Sequence, residues 1–211
     1  MVLMTNLLEP EMYGQYRLIT SFVLTAVIFG LPGMNMGITQ SVASGHSGQL
    51  EYIVKKRIKY SLLGSGVLWL IAASYFFQGS YDMAAALVLS GVALPFFNTF
   101  FSSYFFLQGL KRFREAAVLH MLGRIFFAIC MVALLFVTKE LVLLVGMFFL
   151  STIIGQYIAY VYSKNNFYTE DSKNEDDSLE SFGVRMSLLG APSIVSLYLD
   201  KIVIGVFFGP L

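Results

Sequence analysis

Five ionisable residues stand inside otherwise apolar runs: Arg17, His120, Arg124, Asp200 and Lys201. Arg124 lies about seven residues into one such run, roughly 10 Å deep at a helical rise of about 1.5 Å per residue. His120 precedes it by one turn and shares its face. A charged side chain at the centre of a bilayer costs about 2.5–3.5 kcal/mol on the insertion scale. Such residues persist where they reach a headgroup region or line a wet cavity. The chemistry open to Arg17, Arg124 and Lys201 is therefore either snorkelling or a basic lining that receives an anionic headgroup. Asp200 and Lys201 point about 100° apart on a helix, so they do not simply neutralise each other. Arg17 is a candidate partner for Asp200, and Asp200 and His120 are the candidate charge-partner or coupling groups. His46, in Gly45-His46-Ser47-Gly48, reads as a loop residue.

No catalytic constellation accompanies these groups. The chain has no HExxH, Walker loop or Rossmann fingerprint, and no Ser/His/Asp grouping. The single cysteine, Cys130, sits in an apolar run and supports neither an intrachain disulfide nor a cysteine metal cluster. The expectation is a protein that is not an enzyme, with no metal and no cofactor.

The elements that position the five residues follow from composition. Hydrophobic residues make up 57% of the 211 and charged residues 13%, about half the charged fraction of a soluble domain. A bilayer core needs about 20 apolar residues in a helix. The apolar runs predict an all-α polytopic membrane protein with about six spans, at 16–42, 60–78, 83–107, 117–137, 141–162 and 184–208. A loop is expected from 43 to 59. Residues 1–162 then form one helical bundle, 163–183 an acidic solvated linker, and 184–211 the first helix of a second unit.

Lys55, Lys56, Arg57 and Lys59, then Lys111, Arg112 and Arg114, then Lys164, Lys173 and Arg185 fall on one side of such an arrangement. An excess of Lys and Arg marks the cytoplasmic face. Both termini then lie outside, which suggests a helix absent at the front. Prolines interrupt three spans: Pro32, Pro95 and Pro192. Each removes a backbone donor and crowds the preceding turn, so each is a candidate kink. Gly33 and Gly37 have the spacing that lets helix backbones approach closely.

Three strings carry a resemblance. Leu8-Glu9-Pro10-Glu11-Met12-Tyr13-Gly14-Gln15-Tyr16 resembles the turn after the first helix of Wzx-type polysaccharide flippases, which belong to the MOP superfamily with its MATE-like fold. Leu107-Gln108-Gly109-Leu110-Lys111-Arg112-Phe113 is similar to that family's basic turn after the fourth helix. Leu199-Asp200-Lys201 through Gly209-Pro210 resembles its seventh helix. The resemblance implies two related six-helix bundles, of which this chain is a fragment covering about helices 2–7. It implies flipping of undecaprenyl-diphosphate-linked oligosaccharide, such as an O-antigen unit for lipopolysaccharide, across the bacterial cytoplasmic membrane. The diphosphate would be held by Arg17, Arg124 and Lys201, of which only Lys201 falls in a family string. The expected partners are the lipid-linked oligosaccharide, membrane lipid and other polysaccharide-assembly membrane proteins, with no nucleic acid. Three rival functions compete with this one. A cation-coupled multidrug antiporter of the same superfamily would want a carboxylate within the N-terminal helices, where Asp82, Glu115 and Glu140 stand only at ends. A peptidoglycan-precursor flippase would share the same physics. A membrane-embedded polymerase would want a larger outside loop carrying acids or arginines. The fragment alone is expected not to transport.

Overall fold

A computed structural model of the chain describes residues 7–46, 48–168 and 177–207. These form eight α-helices: α1 Pro10–Ala26, α2 Met34–Ala43, α3 Gln49–Phe77, α4 Tyr81–Phe97, α5 Ser102–Gly109, α6 Phe113–Val137, α7 Leu141–Phe167 and α8 Asp177–Phe207. A short 3₁₀ turn, Val27–Gly30, follows α1. The architecture is all-α, with five helices long and apolar enough to cross a membrane, or six if the bent α1–α2 pair is one span. In that count α4 and α5 make one span, Tyr81–Gly109. The outward faces are apolar: Leu70, Phe77, Phe136 and Val137 are largely exposed, as lipid-facing side chains must be.

α1 sits centrally, against α3, α4, α7 and α8. α3 pairs with α4, α4 with α7, and α6 with α7. Trp69 of α3 lies across Gly91 of α4, close enough that a β-carbon on Gly91 would overlap the indole. Gly123 and Gly155 let α6 and α7 cross with backbones in near contact, an added Cβ on Gly155 lying 3.1 Å from Gly123 Cα.

Two apolar clusters form the interior. One gathers Tyr16, Ile19, Val23, Leu68, Leu87, Phe97, Leu144 and Phe149. The other gathers Leu31, Met34, Ile38, Leu50, Ile53, Phe106 and Leu179. Several polar side chains are buried as well: Asn35, Arg57, Ser61, Thr99 and Ser102.

The structure redraws several elements expected from sequence. The first span is broken: the segments Pro10–Gly30 and Met34–Ala43 meet at 46°. Pro32 lies in the break, and Leu31 adopts φ 49 and ψ 65, a left-handed conformation that costs an L-residue roughly 1–2 kcal/mol. Pro95 sits near the end of α4, just ahead of a second interruption at Asn98–Phe101. Pro192 lies within α8, which continues through it as one helix. The expected loop up to residue 59 is largely helix, because α3 begins at Gln49. Lys55, Lys56, Arg57 and Lys59 are thus helical residues. α8 likewise begins at Asp177, so Glu180, Phe182 and Gly183, expected in the linker, belong to it. Residues 169–176 of the acidic segment lie outside the described residues, as do Gly209 and Pro210.

Candidate functional site

The helical phase of α3 sorts its polar residues onto two faces. Ile53, Arg57, Ser61, Ser65 and Leu68 fall on the buried face. Tyr52, Lys56 and Tyr60 recur every four residues along a different one. Their target is Glu180 of α8. Lys56 Nζ lies 2.5 Å from Glu180 Oε2, Tyr52 donates to the same oxygen at 3.1 Å, and Tyr60 donates to Oε1 at 2.6 Å. Three donors on a half-buried carboxylate clamp the start of α8 onto α3. Nearby, Lys164 pairs with Glu51 at 2.5 Å, joining α7 to α3. Glu180→Gln keeps an acceptor for Tyr60 but removes the charge opposite Lys56. It is expected to speed hydrogen exchange of the amides Glu180–Val184 by a few-fold, with α6 unchanged. Equal rates in the variant would show that the clamp does not hold α8.

The charged residue of the buried face is Arg57, which is fully buried. Its Nε donates to Gly30 O at 2.8 Å, and its Nη1 donates to Asn35 Oδ1 and to Ser102 Oγ, each at 2.7 Å. Sequence reasoning placed Arg57 among loop residues and missed it. The signal that could have found it is the four-residue spacing Ile53, Arg57, Ser61, which puts it in phase with apolar and small residues once the helix is extended to Gln49.

Arg124 and His120 are brought together on α6, where Arg124 Nε donates to His120 Nε2 at 3.3 Å. Phe101, Tyr104, Thr152 and Gln156 complete a crevice of about 30 Å³ among α5, α6 and α7, room for about one water. Gln156 Oε1 is buried there without a partner among the described residues. The crevice therefore offers hydrogen-bonding capacity between spanning helices, with His120 and Arg124 themselves exposed.

Arg17 and Lys201 lie on a different helix pair. α1 and α8 run antiparallel: Leu18 packs where a Cβ on Gly205 would fall, and Gly33 meets Ser187. Arg17 is half-buried beside Tyr13, its guanidinium 5.9 Å from the ring centroid. Lys201 is half-buried with its ammonium 5.1 Å from the Tyr198 ring. Both distances allow a cation–π attraction. Asp200 is exposed, and no ion pair to it forms among the described residues. The three cations thus occupy two sites: Arg124 in the α5–α7 crevice, and Arg17 with Lys201 on the α1–α8 pair.

A larger cleft, about 470 Å³, opens between the end of α2 and the start of α8. It is lined by Gln40, Ser41, Ser44, His46, Ser181 and Arg185, a set of donors suited to hydroxyls and anions. Among the described residues no group of three or more His, Cys, Asp and Glu could hold a metal ion.

Several apolar spans, polar and basic groups among them, and breaks in two spans define a multi-pass membrane protein. The chain belongs to the family described as polysaccharide biosynthesis protein, which matches residues 1–210. Its role is accordingly in polysaccharide synthesis or export. Among curated proteins and solved structures nothing matches the chain.

Proposed function

We propose that this protein handles lipid-linked oligosaccharide as a flippase, moving undecaprenyl-diphosphate-linked units from the cytoplasmic to the outer leaflet of a bacterial cytoplasmic membrane without chemical conversion. The observation that carries the reading is the placement of Arg17, Arg124 and Lys201 on spanning helices of a polysaccharide-biosynthesis family member. A diphosphate leaving water needs compensating cations in a low-dielectric path, and Arg and Lys supply charge-assisted hydrogen bonds. Two sites at different places in the bundle suit a ligand whose charged group must move. His120 holds the Arg124 guanidinium in orientation at the first, and Asp200 beside Lys201 is the candidate coupling charge at the second.

Each neutralisation, Arg17→Gln, Arg124→Gln and Lys201→Gln, is expected to lower delivery of lipid-linked units at least tenfold. That is the equivalent of one charge-assisted hydrogen bond of about 1.5 kcal/mol or more. The measurement is surface polysaccharide and leaflet-resolved lipid-linked oligosaccharide in cells that depend on this protein. Unchanged polysaccharide in all three variants would remove the cationic path. Units that reach the outer leaflet in cells lacking the protein, yet stay unjoined, would point to a polymerase instead.

A further inference from the structure

Two spans are interrupted, and one side chain touches residues beside both interruptions. The first break runs through Leu31, Pro32 and Gly33; the second runs from Asn98 to Phe101. Arg57 stands on α3, which is continuous there. Its Nε holds Gly30 O, the last carbonyl before the first break. Its Nη1 holds Asn35 Oδ1, one residue into α2, and Ser102 Oγ, the first residue of α5 after the second break. Ser102 Oγ in turn lies 3.3 Å from Asn35 Oδ1 as a donor. A single guanidinium therefore ties the two ends of one break to the far end of the other.

The cage is built of neutral acceptors. No carboxylate among the described residues comes within ion-pair distance of Arg57, and its buried Nη2 has no hydrogen-bond partner among them. A buried cation held only for stability is normally matched by an anion, and breaking such a pair costs about 3–5 kcal/mol. Here the hold is divided among three neutral acceptors at about 1.5–3 kcal/mol each, so one can be exchanged while the others remain, and the unpartnered Nη2 is a donor for a shifted acceptor. The surroundings fit a joint rather than a fixed post. Leu31 carries backbone strain at the first break, where stored strain marks elements that switch.

We propose that Arg57 is the positioning residue that couples the two helix breaks, so that the α1–α2 span and the α4–α5 span bend together. Its role is to transmit a change in one bend to the other; it does not touch the transported ligand. The inference concerns the conformational cycle of the chain and does not depend on which ligand that cycle moves.

The test uses the whole chain in lipid nanodiscs, with Cys130 replaced by serine and spin labels at two pairs of positions. Glu11→Cys with Ala43→Cys spans the first break, and Asp82→Cys with Gln108→Cys spans the second. Arg57→Gln is expected to broaden the distance distributions of both pairs. Asn35→Asp places a carboxylate on the α2 side alone, about 2.7 Å from Nη1 in the present geometry. It is expected to raise the melting temperature and to narrow both distributions, including that of the α4–α5 pair it does not touch. A merely structural role predicts the higher melting temperature with the α4–α5 distribution unmoved, and that result overturns the proposal. So does Arg57→Gln broadening one pair only, or neither. Should Arg57→Gln not fold, the Asn35→Asp measurement decides alone. Distances are read without transport, so failure of the flippase reading would leave this outcome intact.

Discussion

Arg57→Met is expected to destabilise the protein by about 3 kcal/mol or more, measured as loss of melting temperature or unfolding free energy in detergent. Methionine nearly fills the volume of the arginine stem, so the change isolates hydrogen bonding from cavity formation. Three charge-assisted bonds disappear, each with a net value of about 1.5–3 kcal/mol. Ser102 and Asn35 keep their mutual bond, but Gly30 O loses the Arg57 donor beside the break. Relief of the desolvated charge and of the orphaned Nη2 offsets part of the loss, which is why the expectation falls below the simple sum. A neutral result would mean that the guanidinium's burial cost matches everything it binds. Lys56→Met, one residue away on the half-buried clamp, supplies the contrast: its pair with Glu180 stays in reach of solvent, and the change is expected to lower melting far less.

The comparison of these two neighbours also shows where sequence reasoning reached its limit. The spans themselves were legible, because long apolar runs separated by charges leave few other assignments in lipid. The four basic residues Lys55, Lys56, Arg57 and Lys59 looked like a loop, since four positive charges in five positions are expensive in a membrane. The helix in fact starts at Gln49 and includes all four. Once helical, adjacent residues separate by about 100°, so Lys56 turns to Glu180 and Arg57 turns inward. Burial thus depends on a helical phase that a charge count does not contain. Glu180 was hidden for the same reason, being grouped with the acidic linker although it begins the next helix.

The candidate site was legible in part. The spacing of His120 and Arg124 predicts a shared face, and the two do form a hydrogen bond. That Arg17 and Lys201 would sit on one antiparallel helix pair required knowing how α1 and α8 pack, which single-helix patterns do not give. Pro32 marks a true break because Leu31 and Gly33 flank it with a left-handed turn and a close approach. The same residue type at Pro192 lies in an uninterrupted helix, so proline alone does not decide.

Gly33→Ala is the second change expected to have a large effect, and a single methyl group is its whole cause. An added Cβ would lie 2.5 Å from Ser187 N, 2.6 Å from Gly183 O and 2.7 Å from Met186 Cβ. Two of these atoms are backbone, so no side-chain rotation relieves the overlap. Gly33 N–H also donates to Ser187 Oγ at 2.9 Å, and that bond stretches when the helices part. The overpacking is expected to cost about 1–3 kcal/mol and to move α8 away from α2. Spin labels at Ala43→Cys and Ser181→Cys would report a longer distance. Gly190→Ala lies on the same helix as Gly183 but has nothing within 4 Å of the added carbon. There the gain in helix propensity, up to about 1 kcal/mol, is expected to leave stability equal or higher. The two substitutions add the same atom with opposite expected signs, so the pair tests the packing itself. A Gly33→Ala protein with unchanged distance and melting would mean that α8 does not rest on the break as described, and the Glu180 clamp would then be its attachment to the bundle.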